Sequence, residues 1–146
     1  MSVSVTIKNQ IKSKVQGCSS VDQTYGYEEV NPKGWPCVMI TPGNMQGEFS
    51  SNSENSRVYS YNLLVLFTLG QDVETPETQN RLEYAENVIA TVIDEIITAV
   101  DTDFELDGSP VLFVNAADVL WGYKTAEFGV ARSAEITLNV YTEKTI

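Results

Sequence analysis

Apolar residues recur at three- and four-residue steps in one long stretch of the chain and at two-residue steps in most of the rest. Between Pro76 and Val100 the stripe is Leu82, Ala85, Ile89, Val92, Ile93, Ile96, Ile97 and Val100, with Glu83, Glu86, Asn87, Ala90, Asp94 and Glu95 on the other side. This predicts a single helix with one buried face, roughly 37 Å long at about 1.5 Å per residue. Thr75 supplies a hydroxyl N-cap, Pro76 occupies the first helical position where an amide proton is not needed, and Glu77 favours the positive end of the dipole. Val3, Ile7, Ile11 and Val15 stand four apart, with Lys8, Lys12 and Lys14 between them. They predict a short amphipathic helix ending near Gly17.

The two-residue periodicity predicts strands on both sides of the long helix. Tyr25, Tyr27 and Val30 alternate with polar residues ahead of the turn Asn31-Pro32-Lys33-Gly34, and the run Cys37 to Thr41 reads as a short buried strand stopped by Pro42-Gly43. Arg57 to Leu69 is the longest strand signal, with Tyr59, Tyr61, Leu63, Val65, Phe67 and Leu69 on one face. After the helix come a short strand at Val111 to Asn115, an alternation of Val119, Trp121 and Tyr123, and a final strand in which Ala134, Ile136, Leu138 and Val140 alternate with Ser133, Glu135, Thr137, Asn139 and Tyr141. The stretch from Gly43 to Ser56 is polar and too long for a tight hairpin, which predicts a mobile loop or an extended hairpin arm.

Strands gathered on either side of one long helix imply an α+β fold. The expectation is a mostly antiparallel sheet covered on one face by the long helix and the short N-terminal helix, within a single domain spanning residues 1–146. The stripe of the long helix should cover the strands at Arg57 to Leu69 and Ala134 to Tyr141, leaving Glu83, Glu86, Asp94 and Glu95 to solvent or a neighbouring subunit. The other sheet face is then solvated or meets another subunit. The aromatics Tyr25, Tyr27, Tyr59, Tyr61, Trp121 and Tyr123 are read first as core, with an interface as the alternative.

Charge changes the picture by exclusion. The 146 residues carry 20 acidic and 9 basic side chains, a formal net charge of −11 with no histidine, which argues against attraction to nucleic acid or an anionic membrane. The two thiols, Cys18 and Cys37, are too few and too far apart for a zinc ribbon or redox pair and are expected to be reduced. The start of the chain has neither the apolar core of a signal peptide nor the length of a membrane span, and no Asn-x-Ser/Thr occurs, so a protein made and kept in a cytoplasm is expected.

Without histidine, Ser-His and Cys-His mechanisms are closed, and no phosphate-cradling glycine motif or GxSxG turn is present. Carboxylate pairs such as Glu28 with Glu29, Asp94 with Glu95 and Asp101 with Asp103 could in principle serve a glycosidase or a metal-dependent nuclease, but read more simply as solvated surface. Asp101, Asp103, Glu105 and Asp107 alternate like the start of a calcium loop, but Gly108 falls two places late and no closing glutamate follows. No catalytic residue, metal or cofactor is therefore assigned.

The order of elements, together with the Gly34-Trp35-Pro36-Cys37-Val38-Met39-Ile40 segment, the Arg57-x-Tyr59-x-Tyr61-x-Leu63-x-Val65 strand and the closing run from Gly129 to Thr142, resembles the tail terminator or tail completion proteins of long-tailed bacteriophages. The resemblance spans nearly the whole chain and rests on pattern and size. It implies a structural virion protein, assembled in the host cytoplasm. Such a protein forms a homo-oligomer, a hexameric ring, on the head-proximal end of the tail tube, ends tube polymerisation and joins the tail to a head completion or neck protein. DNA passes through the lumen without specific binding, and no catalysis, cofactor or membrane is involved. On this reading Glu48 and Glu54 line or approach the channel, and the arm around Glu48, Phe49, Glu54 and Arg57 meets the tube or a neck protein. A ring also needs two different complementary patches per subunit. Three other readings stay open: another neck component of stopper or adaptor type, an unrelated soluble binding module using an exposed sheet face, and a carboxylate-dependent enzyme.

Overall fold

The computed structural model describes the backbone of residues 2–51, 54–70, 76–106 and 111–145, and the side chains of 2–44, 57–69, 82–106 and 111–142. The elements are α1 (Val3–Gln16), β1 (Gln23–Tyr25), β2 (Cys37–Ser51), β3 (Glu54–Gly70), α2 (Pro76–Thr102), β4 (Val111–Ala126) and β5 (Gly129–Thr145). They form an α+β fold with one mixed five-stranded sheet, ordered β1-β2-β3-β5-β4. Among the described residues only β1 and β2 run parallel, and the other three pairings are antiparallel.

Both helices form where the periodicity places them. Ser2 caps α1, its hydroxyl accepting from Val5 N at 3.3 Å, and Ile7, Ile11 and Val15 are buried. Helix α2 runs two residues past Val100 and buries Ala85, Ile89, Val92, Ile93, Ile96 and Val100. Its expected cap Thr75 and the Glu77 side chain lie outside the described residues. The turn after α2 ends at Leu106, buried with φ 52°, a backbone region that side-chain-bearing residues seldom occupy. It is held by Leu106 N donating to Asp103 O and Val114 N donating to Phe104 O, each at 2.8 Å.

One apolar cluster joins the helices to the sheet. Ile7, Ile11 and Val15 of α1 and the buried stripe of α2 share it with Val38 and Ile40 of β2, Tyr61, Leu63 and Val65 of β3, and Ala134, Ile136, Leu138 and Val140 of β5. The two-residue alternation of β3 and β5 thus becomes one packed layer, because paired residues such as Leu63 with Ile136 and Tyr61 with Leu138 lie on the same side of adjacent strands. Tyr61 spans the layers: its hydroxyl lies 2.7 Å from Ser4 O and 3.0 Å from Ser4 Oγ, which satisfies a buried phenol and ties β3 to the start of α1.

Three strand expectations are corrected. The first strand is only Gln23–Tyr25, and Tyr27 and Val30 are exposed beyond it, because the chain leaves the sheet edge there to cross its other face. The strand starting at Cys37 is not stopped by Pro42-Gly43 but continues to Ser51. Proline is tolerated because β1 flanks only Cys37–Met39, so Pro42 lies on an open edge, and the register slips between Pro42 and Met45. The two segments expected around Val111–Asn115 and Val119–Tyr123 are one strand, β4, with register shifts between Val111 and Phe113 and between Ala116 and Asp118. Those shifts break the alternation that a continuous strand would show in sequence.

Candidate interface

The loop-or-arm expectation for residues 43–56 resolves to a hairpin. Pairing of β2 with β3 continues from Pro42 opposite Tyr61 through Gly47 opposite Arg57 to Ser51 opposite Glu54. The end of β5 adds a third strand to the arm, from Thr142 opposite Arg57 to Thr145 opposite Glu54. Strand β4 begins level with Arg57, since Val111 pairs with Thr142, so the arm projects past the end of that strand.

Of the four residues expected at an interface or lumen, the backbone brings all onto this arm. Glu48 stands opposite Ser56, Phe49 opposite Asn55 and Glu54 opposite Thr145, while their side chains lie outside the described residues. Arg57 is half-buried at the base, and its carbonyl accepts from Thr142 Oγ1 at 3.2 Å.

Strand β4 is the last strand of the sheet and shows a row of exposed apolar residues: Leu112, Phe113, Leu120, Trp121 and Tyr123. The core reading is corrected for Tyr27, 57% exposed, and for the two aromatics of β4, Trp121 at 43% and Tyr123 at 60%, whereas Tyr61 is core as expected. For the β4 pair the physical reason is position: both lie on the outermost strand, with no further strand beside them among the described residues. Arg132 is the residue that sequence periodicity missed. It pairs with Tyr123, and its guanidinium lies over both rings, 5.0 Å from the Trp121 centroid and 4.6 Å from that of Tyr123. Nη1 donates to Gly122 O at 2.8 Å. Nε lies 2.7 Å from Glu86 Oε1 without the alignment of a hydrogen bond, so that contact is an ion pair. The available signal was a cation in phase with Ala134 and Ile136 on an otherwise apolar face.

The opposite sheet face is polar along its middle, where Ser60 Oγ donates to Asn139 Oδ1 at 2.7 Å. One end of it is covered by the chain itself. Cys37, Met39, Leu66 and Ala131 form a second apolar cluster under Tyr25, Trp35 and Phe128. Trp35 meets Phe128 edge to face at 5.2 Å, and Lys124 pairs with Glu28, so the segment between β1 and β2 crosses from one sheet edge toward the other. Burial pushes the Cys37 thiol up to about 12.

Two of the carboxylates assigned to surface, Glu28 and Glu29, have partners that hold them charged. The Lys124 ammonium lowers Glu28, and the Tyr27 hydroxyl with Asn31 N lowers Glu29. Glu95, expected to face solvent, instead accepts from Ser20 N at 3.0 Å and from Ser20 Oγ, and Glu86 is taken by Arg132. Glu83 and Asp94 are exposed as expected. Between α1 and α2 lies an open groove of about 750 Å³ lined by Lys14, Cys18, Thr91, Asp94, Glu95 and Thr98. Burial, then the Glu95 charge, raises the Cys18 thiol. Asp103 of the acidic connection pairs with Lys14 at 2.6 Å. No group of three metal-ligating side chains occurs among the described residues, and Asp107 and Gly108 lie outside them.

Compared with models of known protein families and with curated proteins, the chain matches none.

Proposed function

We propose that this protein is a structural component of a bacteriophage tail, forming a homo-oligomeric, hexameric ring that caps the head-proximal end of the tail tube, ends its polymerisation and joins it to a head completion or neck protein. The observation that supports this reading best is the three-stranded arm of β2, β3 and β5, which carries backbone pairing past the end of β4. A projecting arm on a rigid sheet is a means of reaching a tube or neck subunit while the packed core stays fixed. In this reading α1 and α2 together cover one face of the sheet and act as scaffold. The arm and the strand edges carry the contacts, and no reaction is catalysed. Glu48 and Glu54 of the arm line or approach the lumen, where acidic residues let DNA pass without gripping it.

Electron microscopy of particles assembled without this protein tests the reading. Tubes of uncontrolled length would support termination, and tubes of normal length lacking heads would favour a stopper or adaptor role in the neck. Intact, infectious particles would refute both. Deleting residues 50–56 should leave the helical and sheet signals of the fold intact and abolish capping; normal head-to-tail joining by that deletion would refute the role given to the arm.

A further inference from the structure

We infer that the outer edge of β2 from Ile40 to Gly47, at the base of the arm, pairs antiparallel with the outer edge of β4 of a second copy of this chain, giving one head-to-tail interface repeated around the assembly. The inference deepens the ring reading above and rests on it. Backbone pairing leaves two long edges open among the described residues. Strand β1 flanks β2 only at Cys37–Met39, so β2 has an unpaired side from Ile40 to Ser51, and β4 is the terminal strand on the far side of the sheet. Unpaired edges of this length are templates for another strand unless charge or proline guards them. Strand β4 contains no proline, and its two charged residues are Asp118 and Lys124, the latter tied to Glu28; the one proline of β2, Pro42, stands at the register step before Met45, so the pairing is interrupted there and runs on either side of it. Its register shifts twist the edge but leave Leu112 and Phe113 exposed beside it.

Direction and level both fit a head-to-tail match. Three antiparallel steps separate β2 from β4, so the two edges run in opposite directions within one chain. Copies related by an axis along the strands keep their direction, and β2 of one copy therefore meets β4 of the next antiparallel, the pairing that forms without a crossover. Rows of paired residues cross the sheet from edge to edge. Asn115 pairs with Asn139, and Asn139 with Ser60, which stands at the register step between Pro42 and Met45. Gly43 lies against Ser60 there, so closely that a Cβ on it would be 3.2 Å from Ser60 Cβ. The part of β2 from Ile40 to Gly47 is consequently level with Val111 to Val119 of β4, as a rotation without translation requires, and Glu48 to Ser51 reach past that strand.

Electrostatics selects the same two edges. Subunits of net charge −11 repel one another, so a contact between copies must lie where the acids are sparse. Residues 40–51 and 111–126 together contain 2 of the 20 acidic residues, Glu48 and Asp118.

Cysteine cross-linking of the full-length protein tests the pairing. Asn44 and Asn115 are exposed and level with each other. The double variant Asn44→Cys/Asn115→Cys should give a disulfide-linked ladder on mild oxidation at high protein concentration. An equimolar mixture of the two single variants should stop at dimers, because each copy then has one usable edge. Dimers from Asn115→Cys alone would show a two-fold contact of β4 with itself and overturn the inference, as would failure of the double variant to cross-link. Native mass measurement separates this from the ring reading. Hexamers that do not cross-link leave the ring standing and refute the edge pairing, whereas ladders extending beyond six without closing leave the edge pairing standing and refute the closed ring.

Discussion

Replacing Arg132 probes whether the cluster on the outer strand is a structural element or only a chance surface contact. Its side chain is 13% exposed, and three interactions converge on it: an ion pair to Glu86, contacts over two aromatic faces and a bond to Gly122 O. Glu86 is 45% exposed, which discounts the ion pair to well under 1 kcal/mol. Each aromatic contact is worth about 0.5–1 kcal/mol at such partly exposed rings, and the charged hydrogen bond about 1.5 kcal/mol. Because the three share one side chain they do not add fully, and Arg132→Ala should cost about 2–3 kcal/mol. For a chain of this size that lowers the melting temperature by roughly 5–10 °C. Arg132→Lys keeps the charge but cannot lie flat on two rings while donating to a carbonyl, so it should recover less than half of the loss. Urea titration followed by far-ultraviolet circular dichroism gives both differences, with the slope unchanged from the parent. If Arg132→Lys matched the parent, the charge alone would account for the residue and the stacking argument would be refuted; an unchanged Arg132→Ala would dismiss the cluster as a stabilising feature.

Three further expectations concern the core. Ile136 is fully buried between Leu63 and Val119, and Ile136→Ala should cost about 2–5 kcal/mol in urea titration; a loss under 1 kcal/mol would mean that the layer collapses around the gap. Gln10 is buried in α1 with its Oε1 unpartnered among the described residues, so Gln10→Leu should be neutral or stabilising, and a loss above about 1 kcal/mol would reveal a partner for that oxygen. The Cys37 thiol, raised from 9.0 to about 12 by burial, keeps its proton when folded at pH values where the unfolded chain has lost it. Its contribution is therefore fully present below pH 9 and falls as the pH rises toward 12, by up to roughly 1.4 kcal/mol per pH unit. Comparison of unfolding midpoints between pH 8 and 10.5 for the parent and Cys37→Ser detects it, and parallel pH profiles would refute it.

The two helices were legible because each writes its buried face into the chain at helical spacing, and no other element competes for Ile7, Ile11 and Val15 or for Ile89, Val92 and Ile96. The same holds for Ala134 to Val140, whose alternation is unbroken. Strand β2 was cut short in sequence because Pro42-Gly43 is a stop signal everywhere except on an open edge, and which edge is open depends on how far β1 extends. Strand β4 was split because its register shifts erase the period of two.

By itself the sequence determined the α+β class, both helices, the apolar face of the sheet and the absence of histidine chemistry, since these depend on residue type and local spacing. Tertiary structure alone decided the strand order, the parallel pairing of β1, the chain covering one end of the second face, and the burial of Arg132 between two rings. It also decided that Trp121 and Tyr123, on the same sheet face as Ala134, stay exposed on the edge strand. Periodicity records which residues share a face, but a strand becomes an edge only through its place in the sheet, and that place is set by pairings between residues as far apart as Cys37 and Leu66 or Glu28 and Lys124.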